Sequence, residues 1–249
     1  ISQKTLSRET IEYMTSDKQI RDIEELSNYL DVFFDVKRFL PDKPFSVLFP
    51  EFYKDAGIKF EKYFLPEFLT TFHGLMIKNG NHVKKTYGIV FLSTEMIDKL
   101  LARDEADFMI FTHHPMEDET SGRGFIPLPE VYLDRLRLQR VSVYSLHSPL
   151  DLHEEISTTQ AMARSIGIID QQKRALCDNE FTGIIGRLPE PLPLDKFINI
   201  LRKVFDNPEI HYIKNKDHVH SICVLAGGGS YPHLIKEMFN LGCDTYLTG

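Results

Sequence analysis

Residues 107–115 read DFMIFTHHP, and residues 141–151 read VSVYSLHSPLD. Asp107–Thr112 is a short run of apolar and β-prone side chains closed by a proline three residues later, which is the pattern of a strand buried on both faces. Val141–Leu146 repeats it, and Tyr87–Ser93 (YGIVFLS) precedes both. Helical segments lie between these runs, at Thr94–Arg103 and Leu128–Gln139, and another follows at Glu154–Ile166. Strands that alternate with helices imply a parallel sheet with both faces covered, an α/β architecture. In such sheets ligands sit beyond the carboxyl ends of the strands.

On the amino-terminal side, apolar residues recur at helical spacing from Lys18 to Phe34, with Asp17 placed to cap the helix. Residues 1–16 read as a polar arm. Pro41, Pro44 and Pro50 interrupt the chain, and residues 51–73 are rich in aromatics (Phe52, Tyr53, Phe60, Tyr63, Phe64, Phe68, Phe72), which suits either a core or a subunit contact. On the carboxyl-terminal side, a second block follows a polar stretch at Gln171–Glu180. Phe181–Arg187 (FTGIIGR) reads as a strand, Leu188–Pro193 (LPEPLP) as a turn and Leu194–Phe205 as an amphipathic helix. Glu209–Ile213, Val219–Ala226 and the start of a strand at Asp244–Leu247 complete the block, with a helix at Tyr231–Leu241. The expected division is an amino-terminal helical and aromatic segment over residues 1–71, a first α/β lobe over 72–170 and a second over 171–249.

Composition narrows the function classes. The 249 residues are 42% hydrophobic and 26% charged, ordinary for a folded chain, and the net charge of -7 disfavours generic nucleic-acid binding. Cys177, Cys223 and Cys243 are odd in number and form no CxxC pair, which argues against a disulfide framework and a thiolate zinc site. No apolar run has the length of a membrane span, and Ile1-Ser2-Gln3-Lys4 carries no apolar signal core. The expectation is a cytoplasmic protein without membrane or nucleic-acid partners.

His113 and His114 leave the strand DFMIFT just before Pro115. The turn there aims two imidazoles into the space above a sheet edge, each toward a different ion, although a bare pair also suits an exposed loop. His147 and Asp151 leave the neighbouring strand at the same topological position. Imidazoles and a carboxylate released at one edge make the mixed N/O donor set of an open metal site. HSPLD also fits a turn in which Asp151 serves its own backbone. Gly227-Gly228-Gly229-Ser230 joins a strand to a helix, as an anion-receiving turn or simply a tight one. It lacks the spacing of a dinucleotide fingerprint or a P-loop. Glu117, Asp118 and Glu119 read as a solvated acidic loop. His211, His218 and His220 read as surface or core residues, and His73 and His82 receive no role. There is no G-x-S-x-G nucleophile motif.

In their order along the chain, strand-HHP, strand-HxxLD, GIIGRL, GGG before a helix and a terminal DTYLTG resemble the family of Nif-three-like dinuclear-metal proteins. Its members carry the name GTP cyclohydrolase I type 2 homologue. The resemblance spans roughly residues 72–249. Phe72-His73-Gly74-Leu75-Met76 stands where that family has a tryptophan-containing turn before a GLQ-like segment. The resemblance implies two α/β lobes with largely parallel or mixed sheets flanked by helices, a cleft between them holding two divalent metal ions, and a hexameric ring. It makes His113, His114 and Asp151 metal ligands and His147 a further ligand or a near neighbour that handles a proton. It also implies a histidine and a glutamate on a helix after the TG motif, which here is Thr248-Gly249, the end of the sequence. Zinc, iron, manganese and nickel all suit such donors.

Two functions follow. The first is a metal-dependent hydrolase of a small nucleotide-like substrate, with His147 orienting or shuttling a proton. The alternative is a non-catalytic metal-binding or regulatory protein with the aromatic segment as its contact surface.

Overall fold

The structure, a computed structural model, describes residues 21–119, 124–176, 181–206, 209–227, 229 and 232–249. The proposed arm at residues 1–16, the cap at Asp17, and Cys177 lie outside them. Compactness divides the chain into two units, Ile1–His147 and Ser148–Gly249.

The first unit opens with a two-residue strand β1 (Arg21–Asp22) and helix α1 (Ile23–Phe33). The cap of α1 is Asp22, whose carboxylate accepts from the backbone N–H groups of Glu24 and Glu25, so the helix begins later than its apolar spacing suggested. Helices α2 (Lys43–Asp55) and α3 (Phe68–Thr71) follow, then strands β2 (Gly74–Ile77), β3 (His82–Val83) and β4 (Lys85–Phe91). Helix α4 (Thr94–Leu101) leads to β5 (Phe108–His114), a hairpin of β6 (Glu117–Glu119) and β7 (Gly124–Ile126), helix α5 (Glu130–Leu138) and strand β8 (Ser142–Ser145). The acidic stretch expected as a loop is thus one strand of that hairpin, with Glu117 opposite Ile126.

The main sheet runs β2-β8-β5-β4. β5 pairs in parallel with β4 on one side and β8 on the other, while β2 adds antiparallel to β8. The register puts Phe91 beside His114 and Thr112 beside Ser145, so the carboxyl ends of β4, β5 and β8 reach the same edge. The alternation of strands and helices read from the sequence produces this directly, since each helical crossover returns the chain parallel to the strand before it.

One core serves the sheet and the aromatic segment together. Phe45, Phe49, Tyr53, Phe60, Phe64, Phe68 and Phe72 are buried in a single cluster with Ile97, Ile110, Leu136 and Val143. Phe49 is central: its ring meets those of Tyr53, Phe60, Phe64, Phe68 and Phe72 at centroid separations of 4.5 to 5.9 Å, mostly edge to face. The aromatic richness of residues 51–73 is therefore core.

The second unit contains α6 (Ser148–Asp151), α7 (Thr158–Ser165), β9 (Ile169–Leu176), β10 (Phe181–Pro193), α8 (Leu194–Val204), β11 (His218–Leu225), α9 (Pro232–Asn240) and β12 (Thr245–Thr248). Its sheet runs β12-β11-β10-β9 and is mixed: only β11 and β12 are parallel. Three sequence expectations change here. The polar stretch from Gln171 is the edge strand β9, whose exposed residues 171–174 leave no apolar alternation to read. LPEPLP is not a turn but the second half of β10, and Pro189 and Pro191 fall in the interval between Arg187 and Leu192 where the register shifts. Residues 209–213 form no strand; Tyr212 and Ile213 are exposed and no strand among the described residues pairs with them.

Truncation of Phe49 to alanine removes the ring on which the amino-terminal helices converge, and we expect a loss of about 3–5 kcal/mol in urea unfolding. A loss near 1 kcal/mol would show that the cluster repacks around the void.

Candidate metal centre

β5 ends in Thr112-His113-His114. Thr112 is fully buried, and its hydroxyl donates to the carbonyl of His114 at 2.7 Å, which draws the chain into a bend at the strand end. The bend brings the two consecutive imidazoles to one side, with ring centroids 4.6 Å apart. His147 follows β8 and lies 5.0 Å by centroid from each of them. One donor atom from each of the three rings falls within 4.8 Å of the others. The parallel register of β5 and β8 is what delivers them together.

Two of the rings have their protonation pattern set by acceptors. His113 Nδ1 sits 3.0 Å from the carbonyl oxygen of Leu146, and His147 Nδ1 sits 2.9 Å from Asp42 Oδ2. A carbonyl and a carboxylate can only accept, so both Nδ1 atoms carry a hydrogen, and in the neutral form of each ring Nε2 is the lone-pair nitrogen. Aromatic rings wall the group: Phe45 lies edge-on to His114 and His147, and Phe91 edge-on to His114. Clustered imidazoles, two of them anchored at the outer nitrogen, are a donor set that suits a divalent transition metal, so the three side chains fit such an ion.

Asp42 was not found from the sequence. Its side chain is completely buried, and Oδ1 accepts the backbone N–H of Phe45 at 2.9 Å, capping α2. His73 Nε2 lies 3.4 Å from Asp42 Oδ2 without forming a hydrogen bond, and neither ring nitrogen of His73 has a hydrogen-bond partner among the described residues. Burial alone would push the Asp42 carboxyl up, but its hydrogen bond to His147, the attraction of that ring when protonated and the Phe45 N–H together hold it below the usual carboxylate range. Burial pushes His73 down to about 4, against the pull of Asp42 and with further depression from His147 and His113. The local signal for Asp42 was present as an acidic cap with a proline in the first helical turn, Asp42-Lys43-Pro44. Its second partner is 105 residues away.

Asp151 ends α6 in the second unit, where its carboxylate accepts from the hydroxyl of Thr158 at 3.0 Å. The glycine turn is tight. Gly227 N–H donates to the Gly249 carbonyl and Gly229 N–H to that of Gly227, while Tyr246 and Thr248 hydroxyls donate to the carbonyls of Gly229 and Gly227. A Cβ at Gly229 would come within 2.3 Å of Thr248 Oγ1 and 2.4 Å of the Tyr246 hydroxyl, so any larger residue there would displace these two β12 side chains from their hydrogen bonds to the turn. Gly228 and Ser230 lie outside the described residues.

An α/β protein with a clustered trio of histidines at the carboxyl ends of a parallel sheet is the class that fold and site define. The chain belongs to the Duf34/NIF3 (NGG1p interacting factor 3) family, which matches residues 69–249. It is 26% identical over 179 residues to a GTP cyclohydrolase 1 type 2 homolog of Deinococcus radiodurans, covering 71% of this chain and 65% of that one. The chain thus spans a little under two thirds of that relative's length. Its fold is similar to that of protein ybgI, of unknown function (TM-score 0.63, 17% identity, 92% of this chain and 78% of that one). A protein of Thermus thermophilus is alike to a similar degree (TM-score 0.61, 21% identity, 92% and 78%). No helix among the described residues is long and apolar enough to cross a membrane.

His73 sets a pH dependence of stability. The unfolded chain takes up this proton near the ordinary value of 6.5 and the folded chain only near 4. Unfolding therefore binds a proton between those limits, and metal-free protein loses stability as pH falls through that window. Denaturant melts at pH 7 and pH 4.5 should show a smaller difference for His73→Leu than for the natural chain; equal differences would place the titration elsewhere.

Proposed function

We propose that the chain is a divalent-metal protein whose His113 and His114 donate to the metal at one edge of the first sheet, with Asp151 as a carboxylate ligand and His147 as a further ligand or a proton carrier. It acts as a hydrolase of a small nucleotide-like substrate. The observation that carries this is the convergence of three imidazole donors within 4.8 Å, two of them with Nδ1 anchored. A divalent ion held by these residues would supply Lewis acidity, which can bring the pKa of water from about 15.7 to about 7 and so make hydroxide available at neutral pH. The residues of the chain supply the rest. The edge-on phenyl rings of Phe45 and Phe91 limit water around the imidazoles and hold their rotamers. His147, anchored at Nδ1, either donates through Nε2 or moves a proton with it. The relatives' name points to GTP as the first substrate to try. In this reading residues 72–170 and 171–249 are the two lobes, residues 1–71 are an amino-terminal helical and aromatic segment, and the assembly is a homohexamer in the cytoplasm.

The test counts metal in purified protein and follows turnover of GTP and simple phosphoesters. We expect His113→Ala and His114→Ala each to lower metal content and to abolish turnover. A His147→Ala variant that keeps its metal but loses turnover would mark that ring as the proton carrier; loss of both would mark it as a ligand. Turnover surviving in the His113→Ala, His114→Ala double variant would overturn the hydrolase reading. Stoichiometric metal without turnover on any substrate would leave a metal-binding, non-catalytic protein.

A further inference from the structure

We infer that Asp42, in the segment preceding the family match, is a positioning residue of the metal centre, setting the tautomer and direction of the His147 ring. The inference rests on the metal reading of the three histidines. It adds a function to a part of the chain that is otherwise structural.

The geometry separates this role from simple helix capping. A cap needs one acceptor, and Oδ1 supplies it to the Phe45 N–H. The second oxygen is directed at His147 Nδ1, 2.9 Å away, and receives its hydrogen. Asp42 cannot drift, because its own N–H donates to the carbonyl of Thr71 at 3.0 Å and its side chain is sealed from solvent. Phe45, in the first turn of the same helix, lies 5.1 Å by centroid from the His147 ring and nearly perpendicular to it. One helix start therefore fixes the imidazole twice, by a hydrogen bond at Nδ1 and by an aromatic edge against the ring. The outcome is that Nε2 is the nitrogen of the neutral ring left to donate, in a ring whose centroid lies 5.0 Å from those of the other two histidines. Carboxylates that hold the outer nitrogen of a ligand histidine in this way raise its donor strength and select its tautomer.

Asp42→Asn is the discriminating change, because the two side chains have the same shape. If the amide oxygen keeps the cap on Phe45, the NH2 group faces His147 Nδ1. That nitrogen must then accept, the ring hydrogen moves to Nε2, and the donor atom aimed at the metal is lost. Two measurements decide the matter. Imidazole nitrogen NMR on metal-free protein should show His147 as the Nδ1–H tautomer in the natural chain and as the Nε2–H tautomer in Asp42→Asn. Titration with cobalt(II) or zinc(II) should show affinity weakened about 10–100-fold in the variant. Asp42→Ser, which keeps a capping oxygen without a second acceptor, should weaken metal binding to a similar extent and serves if the asparagine variant does not fold. An unchanged tautomer together with unchanged affinity would overturn the inference. If the natural chain binds no metal, the metal reading fails, and the tautomer measurement alone still decides whether Asp42 orients the ring.

Discussion

Parallel pairing of β5 with strands on both sides is the constraint on which the site depends. In a parallel ladder the strands end together only if their crossovers return the chain to a common starting line, and β4, β5 and β8 do so. The result is that residues 113, 114 and 147, separated by a helix, a hairpin and a strand, emerge at one edge. A slip of one residue along β8 would send alternate side chains to the opposite face and disperse the imidazoles. The buried hydroxyl of Thr112, bonded to the carbonyls of Val90 and His114, ties β4 to the bend at the end of β5.

The sheet edge itself anchors His113, through the Leu146 carbonyl, while His147 takes its anchor from outside the sheet. The start of helix α2 brings a carboxylate to His147 and a phenyl ring to His114 and His147, and its remaining length is anchored by Phe49 and Tyr53 in the main core. Rigid support of this kind lowers the cost of ordering a site when a ligand arrives. Any ion held by these histidines in the folded state would in turn stabilise the packing of α2, since binding to the native state shifts the folding equilibrium.

What was legible in the sequence follows from how each feature signals itself. Buried strands such as DFMIFT and VSVYSL carry continuous apolar runs, so β5 and β8 could be read directly, and with them the shared edge of His113, His114 and His147. β9 could not, because an exposed edge strand made of Asp170, Gln171, Gln172, Lys173 and Arg174 has the composition of a loop. The second half of β10 was hidden by prolines that a register break accommodates. Glu209–Ile213 misled in the other direction, since alternation without a neighbouring strand to pair with makes no sheet. Asp42 was hidden by distance: its capping partner is three residues away and local, but its imidazole partner exists only once the chain has folded. HSPLD, which also fitted a turn, holds the short helix α6, and the Asp151 carboxylate accepts from the Thr158 hydroxyl.

The shared aromatic core also has a kinetic side. Residues 45–72 leave the ribosome well before Val143, the last large apolar member of the cluster they join. Until the central strands have been made and paired, Phe45, Phe49, Phe60, Phe64 and Phe68 have only one another to cover them. Contacts of such long sequence separation slow folding, because loop closure must precede the reward of burial. The amino-terminal helices of this chain thus pass through an interval as an exposed aromatic surface, a state in which nascent chains are prone to aggregate and depend on chaperones.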